Sequence, residues 1–258
     1  MEYPGTVSEL TKLLRGGGYL ADRGLATTLL MSVSLRRPVL LEGEVGVGKT
    51  EVAKTLATVF GRRLIRLQCY EGISTSQALY EWDYARQMLQ IRALSHGEAA
   101  DERSVDKLFG PKFLLEMLSD FQITIPELGT IRAESQPVVI LTSNRTRELH
   151  DALRRRCLYH WIGYPTAARE AEIVAIREPA ASGQLIGKVV AAAQRLRELD
   201  LAKPPGVAET IDWVRTLDVL GDIELTPETA GDTLGAVVKD RDDLDLVREN
   251  LAEIISGG

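Results

Sequence analysis

The stretch Pro38-Val-Leu-Leu-Glu-Gly43-Glu-Val-Gly-Val-Gly48-Lys49-Thr50 decides the fold class. Its first half is a short apolar run, and its second half matches G-x-x-x-x-G-K-[ST] without a gap. Glu51 to Phe60 follows with Val52, Leu56 and Phe60 on one helical face, and Gly61 stands where a helix C-terminus is capped. Strand, glycine-rich loop and helix in that order predict an α/β unit built around a phosphate-binding loop. Glycines in such a loop let backbone N–H groups turn in on phosphates, and the helix that follows presents its positive end. The candidate binding residues are Gly43, Glu44, Val45, Gly46, Val47, Gly48, Lys49, Thr50 and Glu51. Lys49 is placed to neutralise the β and γ phosphates of ATP, and the Thr50 hydroxyl to serve as a Mg²⁺ ligand.

Working outward, Thr6 and Glu9 form a capping-box pattern ahead of Leu10, Leu13 and Leu14, a helix that Gly16 to Gly18 ends. A second helix is predicted from about Asp22 to Arg36, carrying Leu25, Leu29, Leu30 and Val33. Alternation over Leu64 to Cys69 predicts a second strand. Residues 83–112 read as helix plus exposed loop, and Pro111 opens a helix with Phe113, Leu114, Met117, Leu118 and Phe121. Ile123 to Ile125 and Thr130 to Arg132 flank a turn and predict a β-hairpin. Val138 to Leu141 is an unbroken β-rich run, which predicts a strand buried on both faces of a parallel sheet. A helix from about Glu148 to Arg155 and a strand from Leu158 to Ile162 complete this part. Beyond Tyr164-Pro165 only helices are predicted, near 167–177, 184–198, 207–217, 227–239 and 243–255, so residues 1–164 and 165–258 read as two domains.

Composition narrows the function classes. With 258 residues, 45% hydrophobic and 26% charged, the chain fits neither a disordered tail nor a coiled coil. The most apolar stretch, Leu25 to Leu35, is interrupted by Thr27, Thr28, Ser32 and Ser34 and is too short for a bilayer, so no membrane span is expected. MEYPGTVSEL lacks the basic and apolar regions of a secretory signal, which makes a cytoplasmic location the expectation. Cys69, Cys157, His96, His150 and His160 show no metal-ligand spacing. The net charge is −6, and residues 218–258 hold 11 acidic against 3 basic residues, so the remainder is nearly balanced. No broad basic surface results, and nucleic acid is not expected as the main partner.

Downstream, Val138 to Leu141 leads into Thr142-Ser143-Asn144, and Leu153-Arg154-Arg155-Arg156-Cys157 precedes the last strand. That order of P-loop, polar-tipped strand, arginine-ended helix and helical second domain resembles the AAA+ ATPases. More closely, LLEGEVGVGKTEVAKTLA, LQCYEGI, LYEWDY, FLLEMLSDFQITIPELGTIRA, LTSNRTRELHDALRRRCLYHW and PGVAETIDW are similar to the MoxR family. Within it they resemble the branch associated with maturation of carbon monoxide dehydrogenase and related molybdenum hydroxylases.

The resemblance implies an α/β P-loop AAA+ core with a parallel sheet of order 5-1-4-3-2, followed by a small all-helical lid. It implies self-association into a ring, a hexamer by the family pattern, a von Willebrand factor A domain partner and a molybdenum hydroxylase-type client. Asn144 takes the place of the sensor that orients the attacking water; read alone, it is also an ordinary strand-ending turn former. Arg155 or Arg156 takes the place of the arginine finger that reaches a neighbour's nucleotide; read alone, both are cations favoured at a helix C-terminus. The family's lid carries a sensor arginine where this chain has Gly206-Val-Ala-Glu-Thr210, so that role stays unassigned.

One family element is missing. A strand of apolar residues ending in Asp-Glu, the Walker B motif, should precede the sensor strand, hold Mg²⁺ and polarise water. The sequence offers only Asp101-Glu102 in a polar context, and Glu116 and Asp120 at i,i+4 in a predicted helix. The loss of roughly 30 residues between two similar segments, leaving the single Phe113-Leu-Leu-Glu116, accounts for this, and the third strand of the sheet goes with it. The expected consequence is a four-stranded sheet or a weakened core, with ATP and Mg²⁺ bound but hydrolysis impaired. The alternatives are a non-hydrolysing subunit of a mixed AAA+ ring and a P-loop kinase.

Overall fold

The computed structural model describes residues 3–66, 122–125, 129–132, 137–145, 151–221 and 224–256. Helix α1 (Val7–Gly16) begins at Thr6, whose side chain accepts from the Glu9 amide while Glu9 accepts from the Thr6 amide, the expected capping box. Helix α2 (Arg23–Leu35) is capped by Asp22 and ends at Arg36 in the left-handed region. Strand β1 (Val39–Gly43) is buried at every position, and α3 (Lys49–Val59) follows the loop.

Two strands flank β1, both parallel to it. β4 (Ile140–Ser143) pairs from Val39↔Ile140 to Glu42↔Ser143, and β5 (Leu158–Ile162) pairs from Val39↔Leu158 to Gly43↔Ile162. Among the described residues the order is therefore β4-β1-β5. Val39 and Leu41 point to one face, where Leu10, Leu14, Leu25, Leu29, Val52 and Leu56 close over them. Period 2 in the strand meets period 3.6 in three helices, and that match fixes the register. The hairpin forms as expected, from β2 (Gln122–Ile125) and β3 (Gly129–Arg132) in antiparallel pairing. A four-residue helix α4 (Asp151–Arg154) leads into β5.

Five helices follow: α5 (Ala167–Arg177), α6 (Gly183–Glu198), α7 (Val207–Leu220), α8 (Pro227–Val237) and α9 (Arg241–Ser256). They enclose a second apolar cluster centred on Trp213, Val189, Leu196, Leu217, Leu234 and Val247. Thr166, Ser182 and Thr226 cap three of them through side-chain oxygens, with Pro227 in the first turn of α8. Inside this bundle Glu170 is completely buried and accepts two hydrogen bonds from Arg197 at 2.6 and 2.7 Å, one from Gln194 and one from Thr210. No helix among the described residues is long and apolar enough to cross a membrane.

Two expectations need correction. Residues 63–66 form no strand, and Leu64 and Ile65 are exposed; imperfect alternation gave that segment no single apolar face to bury. The rest of that expected strand, residues 67–69, lies outside the described residues. The run Val138 to Leu141 pairs later than predicted, as β4 from Ile140 to Ser143, and is half-buried. Among the described residues it has one neighbour, so it does not receive the two-sided cover that its composition implied. The described sheet, β4-β1-β5, has the 5-1-4 part of the expected order, and the fourth strand falls partly outside the described residues. The readings of residues 83–121, including Asp101, Glu102, Glu116 and Asp120, lie outside the described residues.

Replacing Glu170 by Ala should destabilise the helical part by about 3–5 kcal/mol, since Arg197 would be left buried without its anion. Urea unfolding followed by Trp213 fluorescence measures this, and Glu170→Gln should recover part of the loss.

Candidate nucleotide site

The loop between β1 and α3 is built by close approach. A Cβ on Gly43 would lie 2.0 Å from the Ile162 carbonyl oxygen, so the strand pairing of Gly43 with Ile162 admits no side chain there. Gly46 and Gly48 hold φ of 76° and 90°, the left-handed region in which the chain reverses and its amides face inward. Gly48 is the N-cap of α3, and no side chain caps that helix. Its positive end is left for a ligand, as anion binding at a helix N-terminus requires.

Lys49 is 7% exposed, and its ammonium donates to the carbonyls of Gly43 (2.8 Å) and Glu44 (2.5 Å). Burial lowers its pKa, and the neighbouring Glu44 carboxylate partly restores it. Thr50 is half-buried one residue further along α3. Glu44 and Val45 are exposed, whereas Val47 is buried beneath the loop. The Glu51 carboxylate is engaged elsewhere: it takes Lys54 at 2.6 Å and Arg177 of α5 at 3.3 Å, and these cations hold its pKa low. The Glu51 backbone amide is engaged too, donating to the Gly48 carbonyl at 3.1 Å.

Two contacts at this loop were not legible in the sequence. Tyr19 lies beside Gly48, where a Cβ would meet its ring edge at 3.7 Å, and burial, reinforced by Asp22, keeps its hydroxyl protonated. The start of α7 sits on the loop: the Ala208 amide donates to the Gly46 carbonyl at 3.2 Å, and a Cβ on Gly206 would come within 2.5 Å of the Gly46 Cα. Glu209 accepts from the Gly206 amide at 2.9 Å and borders Gly46 as well. The segment without a sensor arginine thus contacts the loop through backbone and an acid.

The parallel sheet separates the remaining candidates. Asn144 is exposed one residue past Ser143, which pairs with Glu42, so it stands at the loop end of the sheet. Arg145 follows it at φ 58°, with its guanidinium 5.6 Å from the Trp161 ring centre. Arg155 and Arg156 are exposed at the opposite end, where Leu158 donates to the Pro38 carbonyl at 2.8 Å. The length of β1, about 13 Å at the usual rise per residue, lies between them and the loop. Arg154 is different: its guanidinium reaches back to Glu42, at 2.9 and 3.1 Å from the two carboxylate oxygens.

Residues 38–105 match the AAA domain family, dynein-related subfamily. The match begins at the proline before β1 and takes in the loop and α3. No curated protein matches the sequence. Among solved structures, the chain is similar to a mutant RuvB of Thermotoga maritima at 18% identity, over 96% of this chain and 76% of that one, with a TM-score of 0.46. A second mutant form gives 16% identity over 99% and 81%, with a TM-score of 0.45. A third structure, described as the RuvB Holliday junction branch migration motor, gives 17% over 98% and 79%, with a TM-score of 0.42.

The AAA-matching segment fits a nucleoside triphosphate on its own geometry: an uncapped helix start, glycines in left-handed conformation and a buried ammonium converge at one loop. For Mg²⁺ the loop supplies the Thr50 hydroxyl. No cluster of three His, Cys, Asp or Glu residues able to hold a metal occurs among the described residues.

Gly206→Ala should lift α7 from the loop, because the new methyl meets the Gly46 backbone, which cannot step aside as a side chain could. Hydrogen exchange measured on the peptide over residues 43–50 should quicken in the variant relative to the parent.

Proposed function

We propose that the chain is an ATP·Mg²⁺-binding AAA+ module of MoxR type that works within a cytoplasmic ring and serves the maturation of a metalloenzyme. The observation that carries the nucleotide part is the uncapped N-terminus of α3 with Lys49 folded into the loop beside it. Residues 1–164 form the nucleotide-binding domain in this reading and residues 165–258 the lid. Amides of residues 45–50 bind the phosphates, Lys49 neutralises them, and Thr50 holds Mg²⁺, which when bound screens charge on the β and γ phosphates. Asn144, at the same end of the sheet, orients water.

The position of the arginines supports the ring reading. Arg155 and Arg156 stand a strand length from their own loop, beyond the reach of an arginine side chain, so a role at a triphosphate means a neighbour's triphosphate. The von Willebrand factor A domain partner and the molybdenum hydroxylase-type client rest on the resemblance of the sequence strings to the MoxR family. A protein client suits the acidic final segment better than nucleic acid does.

Slow turnover belongs to the same reading. Among the described residues, three carboxylates near the loop are already engaged: Glu42 by Arg154, Glu51 by Lys54 and Arg177, and Glu209 by the Gly206 amide. A non-hydrolysing subunit that lends an arginine to a mixed ring is favoured by the same observation.

Titration with a fluorescent ATP analogue should show Mg²⁺-dependent binding that weakens at least about 10-fold in Lys49→Ala, which loses a charge-assisted contact. Phosphate release by the parent should stay close to the Lys49→Ala baseline. Absence of binding by the folded parent would overturn the nucleotide reading, and turnover far above the baseline would overturn the weak-hydrolysis part.

A further inference from the structure

The arginine turn is held at two points, one on β1 itself and one just before it. At its start, Arg154 is fastened to Glu42, which is 2% exposed and directly precedes Gly43 of the loop. At its end, Arg37 donates through Nη2 to the Arg155 carbonyl at 3.1 Å and through Nε to the Arg156 carbonyl at 3.3 Å. The first is a charge-assisted hydrogen bond to a buried anion, and the second satisfies carbonyls that a short helix leaves unpaired. Tyr159 of β5 joins the first point: burial and then a hydrogen bond with Glu42 raise its pKa. The sheet passes the remaining contact, from the Leu158 amide to the Pro38 carbonyl.

These contacts form a continuous route. Lys49 donates to the Gly43 carbonyl, Gly43 adjoins Glu42, Glu42 holds Arg154, and Arg154 opens the turn that carries Arg155 and Arg156. A phosphate that draws the Lys49 ammonium towards itself takes it from the Gly43 and Glu44 carbonyls, and so changes the restraint on the strand end at which Glu42 sits. We propose that Glu42 and Arg37 are positioning residues that clamp the arginine turn to β1 and relay the state of the loop to Arg155 and Arg156. This rests on the nucleotide reading above. Glu42 acts through Arg154.

Cys157, buried directly after the turn, reports on it. In a Cys69→Ser background, the rate of thiol labelling at Cys157 is measured without nucleotide and with the magnesium complex of a non-hydrolysable ATP analogue. In the parent, labelling should be slow and should change when the analogue binds. In Glu42→Gln the nucleotide-free rate should rise at least about 5-fold by local opening, and the response to the analogue should disappear while its affinity stays within about 3-fold. Arg37→Gln should raise the rate in the same direction. Where Glu42→Gln is unfolded by circular dichroism, Arg154→Lys, which keeps the charge and loses the fork, takes its place.

An unchanged rate in Glu42→Gln would overturn the clamp. A raised rate with an intact response to the analogue would overturn the relay. If the analogue does not bind the parent, the nucleotide reading and the relay fall together, and the clamp is still decided by the nucleotide-free rates.

Discussion

The parallel pairing of β1 with both of its neighbours is the constraint on which the rest depends. Parallel strands place like ends together, so the loop after Gly43 and the residues after Ser143 share one end of the sheet, and the turn before Leu158 stands at the other. The separation of Asn144 from Arg155 and Arg156 follows from strand direction alone. β1 can be central only because its residues are apolar or, at Glu42, paired, and because Gly43 lets Ile162 close against it. A single strand thus sets the loop geometry, the sheet core and the distance between the two groups of polar residues.

The helical part is tied to this arrangement by a buried ion pair. Arg197 binds Glu170 of α5, donates to the Pro205 carbonyl at 2.6 Å and lies 4.7 Å from the Tyr164 ring centre. One guanidinium therefore joins the connection after β5, helix α5 and the residue before Gly206. Such a pair adds little stability over an apolar replacement, yet it fixes geometry through its directional bonds. Here it sets where the start of α7 meets the loop. Asp243 does comparable work further out, in the acidic final segment: it is buried and accepts hydrogen bonds from the amides of Ala202 and Lys203.

Local signals were legible in the sequence. Thr6 with Glu9 announces a helix start because a side-chain oxygen caps amides only two or three residues away, and the structure shows Asp22, Thr166, Ser182 and Thr226 capping in the same local way. The P-loop is local as well, and β5 formed over the expected residues, Leu158 to Ile162. The contacts that were missed join residues far apart in the chain: Glu42 with Arg154, Gly46 with Gly206, and Tyr19 with Gly48. No spacing rule encodes them. Leu64 to Arg66 failed for the opposite reason, since alternation proposes a strand but only a partner's unpaired edge makes one.

Two helix starts meet at the loop, and they have different tasks because their amides are spent differently. At α7 the Gly206 amide goes to Glu209, the Ala208 amide to the Gly46 carbonyl and the Thr210 amide to the Gly206 carbonyl. An acid at the third position also cancels much of the positive end of that helix. At α3 no side chain takes an amide, and the nearest charge is a buried ammonium. The helical part therefore offers the loop a seat and withholds its own positive end, while the start of α3 keeps a buried ammonium and its first amides free of side-chain caps among the described residues. What attraction the loop has for an anion is concentrated on one helix.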